Sequence, residues 1–487
     1  MSTVRNIAKN TAVLFIAQGI SYGLGFIYTI YLARYLGPSE FGILSFAMAF
    51  ATVFSVFADI GIQTIIVREV AREKSLLMKY IANVTLIKII LGIATFGLIA
   101  LTINILGYPQ STVAVVYLIG IMVILNTFSQ MYYSVFQAFE MMEYMGIGLI
   151  LQALLVLVGV LAAINLGYDI LSFALIYCLT SFLVLSYNLF VFRFHPFKKV
   201  NAPLHTLVEF DWSFWKATIY QAIPFALSTI FVNIYSWLDT VILSSMKGGE
   251  VVGYYNAAYR IVAVILFLPS AFMGAILPIM ARLHVTSGDA LKLSLEKSCK
   301  YLFIMGLPIT VGIFILAPHI IDLVYGQQYA PATTALQILA PSIWVIFINM
   351  VLNTYLNSIN RQSISAKIFF VCAVISIVMN ITLIPQSSFI ATSGIRTAIE
   401  YTGCILAFFS ILKEGYKVSS KNTVILVVKV LIANILMGFF VAYLSDQNLA
   451  LVIILSAILY FSLIVILRVF DNTDFEMAER LIGKTKL

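Results

Sequence analysis

The chain has 487 residues, of which 62% are hydrophobic and only 10% are charged. Soluble globular proteins are roughly 45–50% apolar and about 25% charged, so this composition leaves too few charges to cover a soluble surface. The net charge of +8 does not require a nucleic-acid partner, because helical membrane proteins concentrate Lys and Arg in their cytoplasmic loops. The composition therefore excludes a soluble protein and predicts a polytopic membrane protein.

Apolar runs of about twenty residues, the length that crosses a bilayer core of roughly 30 Å, recur along the whole chain. The first run is longer than the apolar core of a signal peptide and lacks an A-x-A cleavage site, so we expect it to remain as a span. We predict an all-α fold with 14 membrane-spanning helices. Their ranges are 11–33, 41–66, 80–106, 112–138, 144–166, 169–192, 217–243, 252–277, 301–321, 332–358, 364–384, 390–412, 422–444 and 449–468.

Lys and Arg are concentrated in the loops on one side of these spans. With the N-terminus inside, 23 of the 29 basic residues fall in cytoplasmic segments, and only Arg34, Lys247 and Arg396 fall in outside loops. Because cytoplasmic loops of membrane proteins carry an excess of basic residues, both termini are predicted to be cytoplasmic.

The two halves of the chain resemble each other. GPSEFG (37–42) precedes span 2 and GGEVVG (248–253) precedes span 8, and both spans end at an Ala-Arg pair before a basic loop. We therefore predict two six-helix bundles related as parallel repeats. The predicted organisation is an N-lobe of spans 1–6 (1–193), a cytoplasmic linker with an interfacial helix (194–216), a C-lobe of spans 7–12 (217–412), two appended spans (413–468) and a cytoplasmic tail (469–487).

Two stripes of polar side chains occur in equivalent spans of the two lobes. Both follow the helical spacing i, i+4, i+8, i+11 and lie 223 positions apart: Asn126, Gln130, Ser134 and Gln137 in span 4, and Asn349, Asn353, Asn357 and Asn360 in span 10. Such groups would lack partners in lipid, so they face protein, water or a ligand. Bonds between neighbouring helices would explain one stripe, whereas the match between lobes favours a polar cavity.

Charged side chains inside spans are costly and therefore tend to face a cavity or a partner. The candidates are Asp59, Lys88, Asp239, Arg260, Glu400 and Lys429. Arg260 and Glu400 are predicted at similar depth, and both an ion pair of Arg260 with Glu400 or Asp239 and a substrate contact remain open. Lys88 could meet a substrate that enters from the cytoplasm.

Candidate hinges lie in spans 1 and 7, which the repeat makes equivalent. Span 1 contains Gly19, Gly23 and Gly25, and span 7 contains Pro224. Such residues permit bending during alternating access, although glycines in membrane helices also serve close packing.

No catalytic constellation is visible, so we do not expect an enzyme. The His and Cys residues lack metal-ligand spacing, and AERLIGKT (478–485) matches only a loosened phosphate-binding loop with no strand before it. We expect no cofactor, and transport energy would come from an ion gradient, with Na⁺ or H⁺ as the coupling ion, or from the membrane potential.

The segments YLARYLGPSEFG, ADIG and VGYYNAAYRI resemble those of the polysaccharide-biosynthesis flippases, the O-antigen (Wzx-type) and lipid-linked oligosaccharide carriers of the multidrug/oligosaccharidyl-lipid/polysaccharide exporter superfamily. The similarity covers spans 1–12. It implies two six-helix bundles in a V around a central cavity, which move a prenyl-diphosphate-linked oligosaccharide to the outer leaflet for surface polysaccharide or glycan assembly. A glycan polymerase or ligase is an expected partner. After NITLIP the chain reads QSSFIATSGIRTAIEY, where the family is usually glycine-rich, so the resemblance is weaker in span 12.

The resemblance also assigns roles to the candidate residues. The lipid diphosphate would bind Arg260, Lys88, Arg34 and Arg396, and the glycan would contact the two polar stripes. Related lipid II flippases hold a sodium ion between spans 7, 11 and 12, and the candidates for ion coupling here are Asp239, Asn380, Thr397 and Glu400.

Two other functions remain open. A drug or cation antiporter of the same superfamily would need a cavity dominated by carboxylates and aromatic residues. A non-transporting scaffold for a glycan-synthesis complex would use the stripes only for packing, and Asn353 and Asn357 would then tolerate leucine.

Overall fold

A computed structural model of the protein describes residues 2–194, 211–416, 420–471 and 474. This part of the chain is helical and contains no β-strand. The α-helices are α1 Ser2–Ala58, α2 Ile62–Arg72, α3 Leu77–Ile105, α4 Gln110–Ala138, α5 Met142–Asn165, α6 Ile170–Phe194, α7 Trp212–Lys247, α8 Gly249–Ile265, α9 Phe267–Thr286, α10 Gly288–Tyr325, α11 Ala332–Leu339, α12 Ser342–Ser358, α13 Gln362–Lys413, α14 Ser420–Tyr443 and α15 Leu449–Ile466.

The described residues include 10 helical segments that are long and apolar enough to cross a membrane, or up to 11 with the bent pair α11 and α12. The prediction of an all-helical polytopic membrane protein is therefore confirmed. Helices α1 and α13 have 57 and 52 residues, far more than one crossing needs at 1.5 Å per residue. Each contains a single non-helical residue, Gly37 (φ 71°) in α1 and Ser388 (φ 55°) in α13.

Left-handed backbone occurs at corresponding places in the two halves. Four positions of the first half have a counterpart in the second, where the chain leaves one helical segment and begins the next. The pairs are Gly37 and Gly248, Gly107 and Gly326, Glu140 and Asn360, and Gly167 and Ser388, at separations of 211, 219, 220 and 221 positions.

Three predicted spans are less regular than expected. Span 2 is interrupted at Asp59, between the end of α1 and the start of α2, and span 8 is divided at Leu266 between α8 and α9. In span 10 the axes of α11 and α12 differ by 42°. The bend lies beside Pro341, which cannot donate the helical hydrogen bond.

The first compact unit comprises Met1–Phe267 and Phe369–Ile395. Within it, the second segment of α1 packs so tightly on α8 that a Cβ atom at Gly42 would overlap the backbone of Gly249, and one at Gly253 would overlap the backbone of Pro38. Gly42 and Gly253 are residues that the predicted repeat would make equivalent. The two segments contact each other through glycine.

The second compact unit comprises Leu268–Ile368 and Arg396–Leu487. Its described core joins α10 to α14 and α15, and the Tyr460 hydroxyl donates to the carbonyl of Ile304 at 2.8 Å. After α15, Asp471 and Asp474 bind Lys297 on α10, with Nζ–Oδ1 distances of 2.8 and 2.6 Å. Burial alone would raise the pKa of Asp474, but hydrogen bonds from Lys297 and Lys300 lower it below its ordinary value.

Helix α7 begins at Trp212, five residues before the predicted start of span 7. Asp211 caps it by accepting from the Phe214 backbone N–H at 3.0 Å, and it pairs with Lys79 at 2.8 Å. Hydrogen bonds from Lys79, Ser213 and Phe214 lower the pKa of Asp211. Residues 195–210 of the predicted linker, and all of the predicted tail after Asp474, lie outside the described residues.

Candidate functional site

Arg260 lies on α8 in the first unit, and its side chain is only partly exposed. Its guanidinium interacts electrostatically with the hydroxyl of Tyr177 on α6. The ring of Tyr177 meets Tyr28 of α1 edge-on, at a centroid distance of 6.1 Å. No described carboxylate of the first unit lies within ion-pair distance of Arg260, so the predicted pairing with Asp239 is not formed. An arginine that pairs with no carboxylate of its own unit can bind an anion.

Lys88, unlike Arg260, is not available to bind an anion. Its side chain is fully buried in α3, and its Nζ lies 2.6 Å from Oδ1 of Asp59. Asp59 stands at the interruption between α1 and α2, where residues 59 to 61 leave the helix. The ion pair thus joins this interruption to α3, and the charge of Lys88 is compensated within the protein. Its predicted role in binding a diphosphate requires that this pair open.

The two cations predicted at the outer rim occupy different environments. Arg34 is exposed, three residues before the break at Gly37, and it makes contacts with other residues of the protein. Arg396 was expected in an outside loop, but it is buried within α13, and its Nη2 lies 3.3 Å from Oε1 of Glu400. The spacing i, i+4 on one helix explains this pair. The prediction of Arg396 as a rim residue is therefore wrong.

Glu400 is the centre of a buried polar cluster in the second unit. Asn349 of α12 donates through Nδ2 to the Glu400 carbonyl at 3.0 Å and to Oε2 at 3.3 Å, and Asn353 donates to the Asn349 carbonyl at 2.9 Å. The Oδ1 atoms of Asn349 and Asn353 are buried without a hydrogen-bond partner among the described residues. Thr397 donates to the carbonyl of Ile338 at 2.7 Å. Residues predicted to bind phosphate, glycan and ion thus lie together.

The stripe on α4 is different. Asn126 and Gln130 are partly exposed, and within the described chain their side-chain amides form no hydrogen bond, whereas Ser134 is buried and donates to the Gln130 carbonyl at 2.9 Å. Gln137 is exposed near the end of the helix. Two amides with unsatisfied bonding capacity fit a wet cavity better than a packed helix interface.

The end of the second stripe requires a correction. Asn357 is exposed, and α12 ends at Ser358, so Asn360 does not lie on the helix but adopts left-handed backbone with φ 59°. Its structural counterpart is Glu140, also with φ 59°, because both turns have the same backbone hydrogen bonds. The separation is 220 positions rather than the 223 inferred from the sequence. Three positions on a helix change the direction by only about 60°, so the stripes still point similarly.

The remaining candidates for ion coupling are buried in the first unit. Asp239 accepts from the Tyr255 hydroxyl at 2.5 Å and from the Thr240 backbone N–H at 2.7 Å. Asn380 donates to the Ser376 carbonyl at 2.8 Å, and its Oδ1 has no partner among the described residues. Within the described chain, no three His, Cys, Asp or Glu side chains are placed to hold a metal ion together.

The candidate hinges are helical in this structure. In α1 the only non-helical residue is Gly37, so the chain passes through Gly19, Gly23 and Gly25 without a break. A Cβ at Gly19 would meet the Phe267 ring at 3.1 Å, whereas one at Gly23 would meet nothing within 4 Å. Close packing therefore explains Gly19 but not Gly23. Pro224 lies within α7, and its side chain is outside the described part of the structure.

Sequence reasoning missed several partners. The pairing of Arg396 with Glu400 was detectable from their spacing. No local signal connects Tyr28, Tyr177 and Arg260, because they lie on three helices far apart in the chain. A cavity of about 590 Å³ between α10, α12, α13 and α14 in the second unit is lined by Lys429, but by none of the residues predicted to bind substrate or ion.

Comparisons with known proteins identify the family of this chain and several relatives. The family model described as polysaccharide biosynthesis protein matches residues 7–284, and the MatE model matches residues 224–382. The probable low-salt glycan biosynthesis flippase Agl15 of Haloferax volcanii is 22% identical over 399 residues, 81% of this chain and 81% of the relative. A putative O-antigen transporter of Escherichia coli is 22% identical over 416 residues, 82% of this chain and 95% of the relative.

A solved structure of the lipid II flippase MurJ in an inward closed conformation has the same fold. It superposes with a TM-score of 0.75 at 15% identity, over 94% of this chain and 99% of its own.

Proposed function

Since the chain belongs to the polysaccharide biosynthesis protein family, we propose that it is a flippase that moves a lipid-linked oligosaccharide from the cytoplasmic to the outer leaflet of the cell membrane. Its relatives include proteins described as a glycan biosynthesis flippase and an O-antigen transporter. The product would serve the assembly of a surface polysaccharide or glycan, and a polymerase or ligase would be the next protein to receive it.

One observation carries this proposal: the environment of Arg260. A lipid-linked glycan has an anionic phosphate between an apolar tail and a polar glycan. The half-buried guanidinium, which interacts electrostatically with Tyr177, offers the phosphate a cation inside the membrane-spanning region, where an isolated charge is costly. The unsatisfied amides of Asn126 and Gln130, in the same unit, offer hydrogen bonds to sugar hydroxyls.

The architecture that we propose has 14 spans in two six-helix repeats followed by α14 and α15. Helices α1 and α13 count as two spans each, and the pairs α8 with α9 and α11 with α12 count as one span each. Helices α3 to α7, α10, α14 and α15 add one span each, which gives 14. The four corresponding left-handed turns support the repeat. Both termini would be cytoplasmic, because the basic loops would then face the cytoplasm.

Alternating access would carry the substrate, driven by the membrane potential or an ion gradient. Each negative charge that moves outward gains about 2.3 kcal/mol at 100 mV. Coupling to Na⁺ or H⁺ would involve Asp239 and Asn380 in the first unit or Glu400 and Thr397 in the second. Asp239, Asn380 and Glu400 are buried and offer carboxylate or amide oxygens, and Thr397 offers a hydroxyl.

The test is translocation of a fluorescent lipid-linked oligosaccharide in proteoliposomes. Arg260→Ala should reduce the rate about ten- to a hundredfold, because a hydrogen bond to a charged group is worth about 1.5–3 kcal/mol. Arg282→Ala removes the same charge from an exposed position at the end of α9 and should leave the rate unchanged. Equal rates for wild type and Arg260→Ala would contradict the proposed phosphate contact.

A second candidate function, the exchange of drugs or cations by an antiporter, is favoured by the match of the MatE model to residues 224–382. An antiporter would exchange a cationic dye for protons or sodium in the same proteoliposomes. Dye exchange without lipid translocation would replace the flippase proposal.

A further inference from the structure

We propose that the cavity of about 590 Å³ in the second unit is a binding site for an anionic membrane phospholipid, distinct from any lipid that the protein transports. One acyl chain lies between α10, α12, α13 and α14, and the phosphate binds Lys429 and Arg468. The inference goes beyond the proposed transport function. All the residues that line the cavity belong to one compact unit.

The walls of the cavity are mainly hydrocarbon. More than half of the residues that line it are leucine, isoleucine, valine or phenylalanine. Ile348 and Leu352 line it from α12, and Phe303 lines it from α10. Its volume lies within the range of about 300–1,000 Å³ that is usual for small-molecule sites, which are also lined mainly by apolar side chains. The cavity therefore suits a hydrocarbon chain better than a small soluble ion.

The cavity reaches the apolar surface of the spans. Phe408 of α13 and Ile425 of α14 both line it, and both side chains are exposed. Both helices are apolar and long enough to cross a membrane. Since lipid tails are as apolar as leucine, membrane helices leave such side chains in contact with lipid. A phospholipid can therefore enter the cavity sideways from the bilayer.

Two cations line the cavity without a carboxylate partner. Lys429 is half-buried, and its Nζ donates to the carbonyl of Arg468 at 3.2 Å, a bond that leaves its charge uncompensated. Among the described residues of the second unit, no carboxylate lies within ion-pair distance of Lys429 or Arg468. Basic pockets between membrane helices bind anionic lipid headgroups. These two side chains can therefore hold the phosphate.

The other charged residues on the cavity are compensated within the protein. Two lysines of α10 meet two carboxylates after α15, in ion pairs of Lys297 and Lys300 with Asp471 and Asp474. Glu296 accepts from the Tyr416 hydroxyl at 3.0 Å and lies 4.0 Å from the Nζ of Lys292. The charges that remain are those of Lys429 and Arg468. This excess of positive charge favours a lipid with a net negative headgroup over a zwitterionic one.

The two cations lie at the depth of lipid headgroups. Helix α15 has 18 residues and a length of about 27 Å, close to the hydrocarbon core of roughly 30 Å. Arg468 is the second residue after this helix ends at Ile466, and the amine of Lys429 reaches the same level through its contact with the Arg468 carbonyl. In the topology proposed above, the phospholipid comes from the cytoplasmic leaflet.

The experiment measures lipid binding to the purified full-length protein in detergent by native mass spectrometry. Phosphatidylglycerol and phosphatidylcholine with the same acyl chains differ in headgroup charge. We expect the wild type to bind phosphatidylglycerol at least about tenfold more tightly, because two basic residues attract its net negative charge. Lys429→Gln/Arg468→Gln should lose this preference and retain the affinity for phosphatidylcholine.

The matched control is Lys367→Gln/Lys413→Gln. It removes the same charge from exposed positions of α13 that do not line the cavity, and it should keep the preference. A preference lost equally in both double variants, or in neither, would overturn the inference.

Two measurements on the wild type test the same site when the charge variant does not fold. Phosphatidylglycerol with a diazirine on its acyl chain should label α12 at Ile348 or Leu352, and labelling confined to other helices would overturn the inference. An excess of prenyl phosphate should not displace phosphatidylglycerol. Displacement would assign the cavity to the transported lipid instead. None of these measurements depends on transport, so failure of the flippase proposal is distinguishable from failure of this one.

Discussion

At the residue scale, the buried charge of Lys88 is compensated by a carboxylate, because an unpaired charge is costly inside a membrane. Lys88 has no exposed surface, and only the carboxylate of Asp59 compensates it among the described residues. Removing one member of a buried pair leaves a bare charge, whereas replacing both with apolar groups is often neutral. Asp59 stands where α1 and α2 are interrupted, so this pair also determines how the interruption packs on α3.

We predict that Asp59→Ala destabilises the folded protein by about 3–5 kcal/mol because it strands the charge of Lys88. The double variant Asp59→Ala/Lys88→Met should recover most of this loss. Denaturation in detergent micelles measures both. A double variant no more stable than the single one would show that the ion pair is not what holds this region.

The sequence predicted which residue types lie in the site better than it predicted their partners. The half-buried amides Asn126 and Gln130 are placed as the helical spacing indicated. Asn360 is not, because the helix ends two residues before it and the turn needs left-handed backbone, which asparagine tolerates. The partner of Lys88 lies 29 positions away across a helix interruption, and composition and periodicity contain no information about such a contact.

At the scale of elements, the second segment of α1 and helix α8 approach each other closely enough to bring their backbones into contact. Membrane helices associate through small residues that let backbones approach, since apolar side chains gain nothing by leaving lipid. Glycine at positions 42 and 253 meets this requirement, and any side chain there would overlap backbone.

We expect Gly253→Ala to destabilise the protein by about 1–3 kcal/mol, because the added methyl group would force α8 away from Pro38. Gly23→Ala is the matched control. It adds the same methyl group where nothing lies within 4 Å, and it should be neutral or stabilising by at most about 1 kcal/mol through helix propensity. Thermal melting in detergent distinguishes the two, and equal melting temperatures would contradict the packing argument.

The positions of the helices were easier to predict from the sequence than the interruptions within them. Runs of apolar residues locate the spans, and the gaps between predicted spans 1 and 2 and between spans 11 and 12 contain the breaks in α1 and α13. They do not reveal the interruption of span 2 at Asp59 or of span 8 at Leu266. Gly37 supplies left-handed backbone at little cost, and the pattern GPSEFG indicated a turn there. Ser388 adopts φ 55° and ψ −139°, a backbone conformation that is unfavourable for any residue with a Cβ. No local residue preference could therefore predict this conformation at Ser388.

At the scale of the whole molecule, the distribution of basic residues makes the orientation testable. In the proposed topology the turn after α5 is outside and the turn after α4 is inside. Both contain exposed residues, Tyr168 and Glu140, which allows a direct comparison in one background.

We predict that an impermeant maleimide added to intact cells labels Tyr168→Cys and not Glu140→Cys. Both variants would be made in a chain whose four native cysteines are replaced by alanine. Glu140→Cys should become reactive only after the membrane is permeabilised, because its loop faces the cytoplasm. Labelling in the opposite order would reverse the proposed orientation and the direction of transport.

The contact between α10 and the residues after α15 has a consequence for the order in which the protein is made. Lys297 and Lys300 are synthesised some 170 residues before Asp471 and Asp474, the acidic groups that bind them. Until the segment after α15 has been synthesised these lysines lack these two acidic partners, so the second unit acquires these ion pairs only after α15 has been made. A nascent chain that stops after α15 therefore displays Lys297 and Lys300 without these two acidic groups, a difference that membrane quality control could use to recognise it.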